Sequence, residues 1–168
     1  SYLGLAGGGF ASNLMVATVA ATIAYIPIGA ITSKVGRKKA VLGGIALMAV
    51  SFFAASFYKA YHPSMMAIII AMGIGYASII VNTLPMVVEM SKGSDIGKYT
   101  GIYYTFSMSA QIITPILSGA LLEYVGYFTL FPYAVVCLLV SFALMLGVKH
   151  GDSSEAVKKG LEAFDTED

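Results

Sequence analysis

Charge is missing from long, evenly sized stretches of this chain, and those gaps constrain its fold more than any motif does. Ser1–Ser33 carries no charged residue, and Lys34, Arg37, Lys38 and Lys39 follow. Ala40–Tyr58 is uncharged up to Lys59, and His62 and Pro63 come next. Ser64–Val88 is uncharged up to Glu89, Tyr99–Leu122 up to Glu123, and Phe128–Val148 up to Lys149. A helix rises about 1.5 Å per residue, so about 20 apolar residues cross a hydrocarbon core of about 30 Å. The gaps predict five spans, at about 10–32, 40–58, 64–88, 99–122 and 128–148. The fold class is all-α, a polytopic membrane bundle. Residues 1–9 form a short segment before it and residues 149–168 a tail after it.

Composition supports this and removes other classes. Charged residues make up 11% and hydrophobic residues 58%, against about 25% charged in a typical soluble domain. Five such runs leave too few polar residues for a water-facing surface. Transmembrane strands would be about 10 residues of alternating polarity, and these runs are twice as long and continuous. A composition this apolar argues against a nucleic-acid binder built on basic patches, and the net charge of +1 says nothing about partners. The single cysteine, Cys137, cannot form an intrachain disulfide. No His/Cys/carboxylate spacing suits a metal, and no intramembrane catalytic set is present, so neither enzyme nor cofactor is expected.

Basic residues set the expected orientation. With the Lys34–Lys39 loop in the cytosol, nine of the ten Lys and Arg residues fall inside and only Lys59 outside. The positive-inside bias then places residues 1–9 extracytoplasmic and the tail cytoplasmic. Tyr58, Tyr61, Tyr124, Tyr127 and Phe128 fall at the outer ends, where aromatic rings suit the interface. Pro27, Pro85, Pro115 and Pro132 interrupt four spans, and Gly43-Gly44 and Gly73-Ile74-Gly75 offer close helix contact.

The first basic loop reads Gly29-Ala-Ile-Thr-Ser33-Lys34-Val-Gly36-Arg37-Lys38-Lys39. Gly29 is expected to allow close helix contact, and Gly36 an unusual φ in a very short connection. A second block runs Asn82-Thr-Leu-Pro85 to Glu89 and continues as Ser94-Asp95-Ile-Gly97-Lys98-Tyr99-Thr-Gly101. The first motif resembles the major facilitator superfamily loop G-x-x-x-D-R-x-G-R-R. The spacing matches throughout, with Ser33 where the family has Asp. The second block is similar to the loop between helices ten and eleven of that superfamily, and Pro115-x-x-Ser118-Gly119-Ala120 to the stretch within helix eleven. The texture is similar to glycoside–pentoside–hexuronide:cation symporters and sucrose–proton symporters. The resemblance covers about residues 10–150.

That resemblance implies helices eight to twelve of a twelve-helix transporter, with an N-terminal half as the missing partner. It implies cation-coupled sugar or glycoside symport by alternating access, with H+ or Na+ as coupling ion. Gly29, Ser33, Lys34, Gly36, Arg37 and Lys38 would then form a cytoplasmic gate element in a bacterial inner membrane or a plasma membrane. One alternative is a superfamily exporter of drugs or other metabolites. Another is a non-transporting five-span scaffold.

Polar residues inside spans are costly and mark candidate sites. Tyr103, Ser107, Gln111, Thr114 and Ser118 share one helical face, and the amide of Gln111 suits sugar hydroxyls or an interhelical bond. Asn82 faces either substrate or the carbonyl freed by Pro85. On the first span, Thr22 and Tyr25 share a face with Thr18 and Gly29, although threonines often bond their own i−4 carbonyl. Glu89 sits at a span end, as a coupling carboxylate or as the partner of Arg37 or Lys92 in a gate ion pair.

Overall fold

The computed structural model describes residues 7–58, 62–90 and 95–149, with side chains from residue 11 onward. Five helices run in order: α1 (Gly7–Val35), α2 (Arg37–Ala55), α3 (Met65–Glu89), α4 (Ile96–Tyr124) and α5 (Leu130–Gly147), the last preceded by a 3-10 turn at Tyr127–Thr129. All five are long and apolar enough to cross a membrane, and no strand occurs among the described residues.

Helix limits differ from the charge gaps for local reasons. α1 starts at Gly7 and runs to Val35, beyond 10–32, because the helix continues through the interfacial zone where charge is tolerated. α2 starts at Arg37 because Gly36, at φ 96°, stops α1 with one residue. It closes at Ala55, short of residue 58, and turns through Ser56 and Phe57. α4 runs from Ile96 to Tyr124, where Gly126 at φ 117° turns the chain. At the start of α3, His62 acts as a cap for a turn led by Pro63. Its carbonyl accepts the Met65 N–H at 2.9 Å, and its Nδ1 accepts the Ser64 N–H at 3.3 Å.

The prolines do not break the spans. Pro27, Pro85 and Pro115 lie inside continuous helices. Pro132 falls in the first turn of α5, where a missing N–H costs nothing. The tail from residue 150, and Lys59, Tyr61 and Lys92, lie outside the described residues.

α3 is the centre of the bundle, packed on α1 along one side and on α2 along the other; α5 packs on α2. Two glycine contacts make this possible. A Cβ on Gly73 would stand 2.5 Å from the Ala17 carbonyl oxygen of α1. On the other side Gly75 meets Gly44, where a Cβ on either would come within 2.9 Å of the other's carbonyl oxygen. Ser78 adds a bond from its hydroxyl to the Ala40 carbonyl at 2.8 Å. Gly29, Gly43 and Gly119 have nothing within 4 Å of an added Cβ. The expectation that Gly29 serves close helix contact is therefore corrected for the described residues: the neighbouring helices cross α1 elsewhere, at Ala17.

Two small apolar clusters result. Ala21, Ala24 and Ile28 of α1 meet Ala77 of α3. Val41 and Ile45 of α2 meet Met86 of α3, with Leu138, Phe142, Met145 and Val148 against them. α4 lies on α3 and α5 with no buried residue and does not touch α1. Large apolar side chains such as Ile23, Ile26, Phe106 and Ile116 stay exposed, as suits a lipid-facing surface.

Candidate functional site

The polar stripe of α4 opens onto a groove of about 510 Å³ lined by Ser107, Ala110, Gln111, Thr114 and Pro115. Gln111 is exposed, and its Nε2 reaches the Ser107 Oγ at 3.5 Å, one turn away. That loose contact leaves most of the amide's hydrogen-bonding capacity toward the groove. Tyr103 lies one turn below and turns aside. Its hydroxyl meets Thr83 Oγ1 at 3.2 Å and so joins α4 to α3. Ser118 bonds the Pro115 carbonyl at 3.2 Å within its own helix.

The other candidates are elsewhere. Asn82 is 1% exposed and donates from Nδ2 to the Ser78 carbonyl at 2.7 Å. It therefore bonds the backbone one turn back rather than the Val81 carbonyl that Pro85 frees. Thr22 bonds the Thr18 carbonyl at 2.8 Å, and Thr18 bonds that of Leu14 at 2.9 Å. Tyr25 packs against the Ala21–Ala77 cluster and lines, with Thr18, Met48, Met72 and Tyr76, a separate cavity of about 270 Å³. The structure thus gathers Gln111 and Ser107, and it leaves Asn82, Thr22 and Tyr25 apart from them.

At the end of the bundle bearing Lys34–Lys39, called here the basic end, Arg37 Nη1 forms a salt bridge with Glu89 Oε1. The two side chains are 32% and 26% exposed, so the pair is partly screened. Both charges oppose their own helix dipoles, a cation in the first turn of α2 and an anion in the last of α3. The antiparallel packing of α2 and α3 brings these ends together and compensates both. Ser33, at the family's Asp position, bonds its own Ala30 carbonyl at 2.8 Å. Lys34 is exposed, and the neighbouring Thr32 hydroxyl is buried without a partner. Among the described residues no group of three or more His, Cys, Asp or Glu could hold a metal.

Two candidate residues have partners that the motifs do not name. Lys38 reaches the end of α5, and Tyr103 joins Thr83. The first had a sequence signal: α5 ends with no basic residue in its last turn and with Val148, not glycine, at its C-cap. Such an end needs a donor from elsewhere.

No curated protein and no solved structure matches the chain. The family description Major Facilitator Superfamily matches residues 1–164. With five membrane-length helices, the one-residue Gly36 turn and the basic loop that follows it, the chain belongs to the major facilitator superfamily, a family of secondary transporters and not of enzymes.

Proposed function

We propose that this chain belongs to a cation-coupled symporter that carries a sugar or glycoside by alternating access. The observation that carries the reading is the Gln111–Ser107 groove on α4, which offers amide and hydroxyl groups and no charge. Such groups suit a neutral, hydroxyl-rich solute. The resemblance of the loop motifs to glycoside and sucrose symporters points the same way. The basic end is cytoplasmic, in a bacterial inner membrane or a plasma membrane, by the bias of Lys and Arg toward it.

The described carboxylates, Glu89, Asp95 and Glu123, sit at helix ends, and Glu89 is paired with Arg37. The carboxylates that couple transport to H+ or Na+ are accordingly assigned to the N-terminal half of the transporter. The loop Gly29–Lys39 acts as the cytoplasmic gate element, with Arg37–Glu89 as its ion pair.

Uptake of radiolabelled disaccharides by vesicles holding the full-length protein tests the substrate class. Gln111→Ala should raise KM about tenfold with kcat little changed, the signature of lost ground-state binding. An unchanged KM removes Gln111 from the site. For the gate, Arg37→Glu sets two acids side by side and should lower transport about tenfold, while Arg37→Glu with Glu89→Arg should restore most of it. A swapped pair as slow as the single variant would count against the pairing.

One observation favours a second reading. Met15, Val19, Ile23, Pro27 and Ile74 border an apolar groove of about 620 Å³ on the α1–α3 face. A groove of that kind suits the lipophilic cargo of an exporter. Efflux of a fluorescent lipophilic cation, with no disaccharide uptake, would select that reading.

A further inference from the structure

We infer that Lys38 is a positioning residue that caps α5 from α2, fastening the end of α5 to the start of α2. Its Nζ donates to the Leu146 carbonyl at 3.0 Å and to the Val148 carbonyl at 2.6 Å. One ammonium carries three N–H donors on a long flexible stem, so it can satisfy two carbonyls two residues apart.

The need for such a donor is set by α5 itself. The helix ends at Gly147, and Val148 leaves it in extended backbone at φ −69°, ψ 121°. The Val148 N–H turns back to the Met145 carbonyl at 3.2 Å, and Leu146 is among the last four residues of α5, whose carbonyls an α-helix leaves to donors outside it. No basic residue lies in the last turn of α5 to meet the negative end of its dipole. An unpaired carbonyl at the edge of hydrocarbon is costly, and an ammonium answers both the hydrogen bond and the partial charge.

The charge of Lys38 is not favoured by its own helix dipole. It sits in the first turn of α2, where a cation opposes the dipole. Its favourable site is on α5, which α2 meets antiparallel. Packing holds the two ends together: Val41, one turn on from Lys38, is 2% exposed and joins a cluster against which Met145 and Val148 pack. The consecutive residues Arg37 and Lys38 thus reach different neighbours, α3 through Glu89 and α5 through its carbonyls. The basic ends of α2, α3 and α5 form one unit. A shift of the Gly29–Lys39 connection then carries the end of α5 with it. This goes beyond the transport reading and holds whatever the cargo is.

Hydrogen exchange on the full-length protein in lipid nanodiscs tests the assignment. Lys38→Met keeps the apolar stem and removes the donors. It should speed exchange of the amides from Met145 to Lys149 about tenfold, and leave the Met86–Met90 amides unchanged. Lys38→Arg should return most of the protection, and Lys39→Met should change nothing. Wild-type exchange in Lys38→Met, or an equal effect from Lys39→Met, would overturn the inference. If Lys38→Met fails to assemble, the test passes to Lys38→Cys with Val148→Cys in a Cys137→Ser background, joined by a bifunctional thiol reagent whose spacer replaces the lysine stem, which is longer than a disulfide can span. Cross-linking that restores protection at residues 145–149 supports the contact, and no cross-linking, or cross-linking without protection, overturns it.

Discussion

Gly73→Val will lower the melting temperature by about 10 °C, while Gly43→Val, the same substitution on the same kind of apolar helix surface, will be nearly silent. At Gly73 an added Cβ would lie 2.5 Å from the Ala17 carbonyl oxygen, 3.3 Å from the carbon of that carbonyl and 3.4 Å from the Ala20 Cβ. The obstacle is main chain, which cannot rotate away as a side chain would. α1 must therefore move off α3, and the contact of Ala21, Ala24 and Ile28 with Ala77 opens with it. Overpacking a tight core costs about 1–3 kcal/mol, and a backbone clash of this kind falls at or above the upper end. In a domain of this size that is a loss of about 10 °C in Tm. Gly43 has nothing within 4 Å. Thermal unfolding in detergent, with the yield of monodisperse protein, checks the pair. Equal Tm values for the two variants would show that α1 and α3 do not cross at Gly73.

Asn82→Asp is expected to be nearly as damaging, whereas Asn82→Leu is tolerated by the fold. Asn82 is 1% exposed, and its Nδ2 lies 2.7 Å from the Ser78 carbonyl oxygen. A carboxylate there is acceptor-only and would set oxygen against oxygen. It also brings a charge inside a span, which costs up to about 2.5–3.5 kcal/mol, the value at a helix centre on insertion scales. Leucine has a similar volume and removes a donor whose acceptor, in a continuous helix, already holds the N–H four residues on. Its cost should stay below about 1.5 kcal/mol. Membrane insertion and thermal stability of the two variants decide it. Equal stability would mean that water reaches Asn82 in the folded protein. Asn82→Leu serves function as well: if it folds and transports with unchanged KM, Asn82 holds the helix and does not meet substrate.

Much of the bundle was legible because membrane crossing is a local property. The five spans follow from windows of about 20 residues without charge, and α3 at Met65–Glu89 lies within a residue of its gap. The ends of α1 and α4 were less legible, because helices run on past the apolar zone into interfacial sequence. Glycine was the least readable residue. Gly29, Gly43, Gly44, Gly73, Gly75 and Gly119 are alike in sequence context, yet only Gly44, Gly73 and Gly75 stand where another backbone arrives. The same holds for the polar candidates. The stripe on α4 follows from periodicity, but which members face a groove depends on where α3 lies. Tyr103 is turned to Thr83, and Gln111 is left open.

The number of spans, their apolar character and the clustering of cations at one end were determined by the sequence alone, because the cost of charge in hydrocarbon acts on each residue wherever the helix packs. The family motif was equally local, since a one-residue turn at Gly36 requires a positive φ and little else. Partners were decided only by tertiary structure. Glu89 could have met Arg37 or Lys92, and Lys38 could have faced solvent. Antiparallel packing of α2 against α3 and α5 put one carboxylate and one open helix end within reach of two neighbouring cations. Which charges meet depends on how helices cross, and crossing is set by three glycines whose role no single helix reveals.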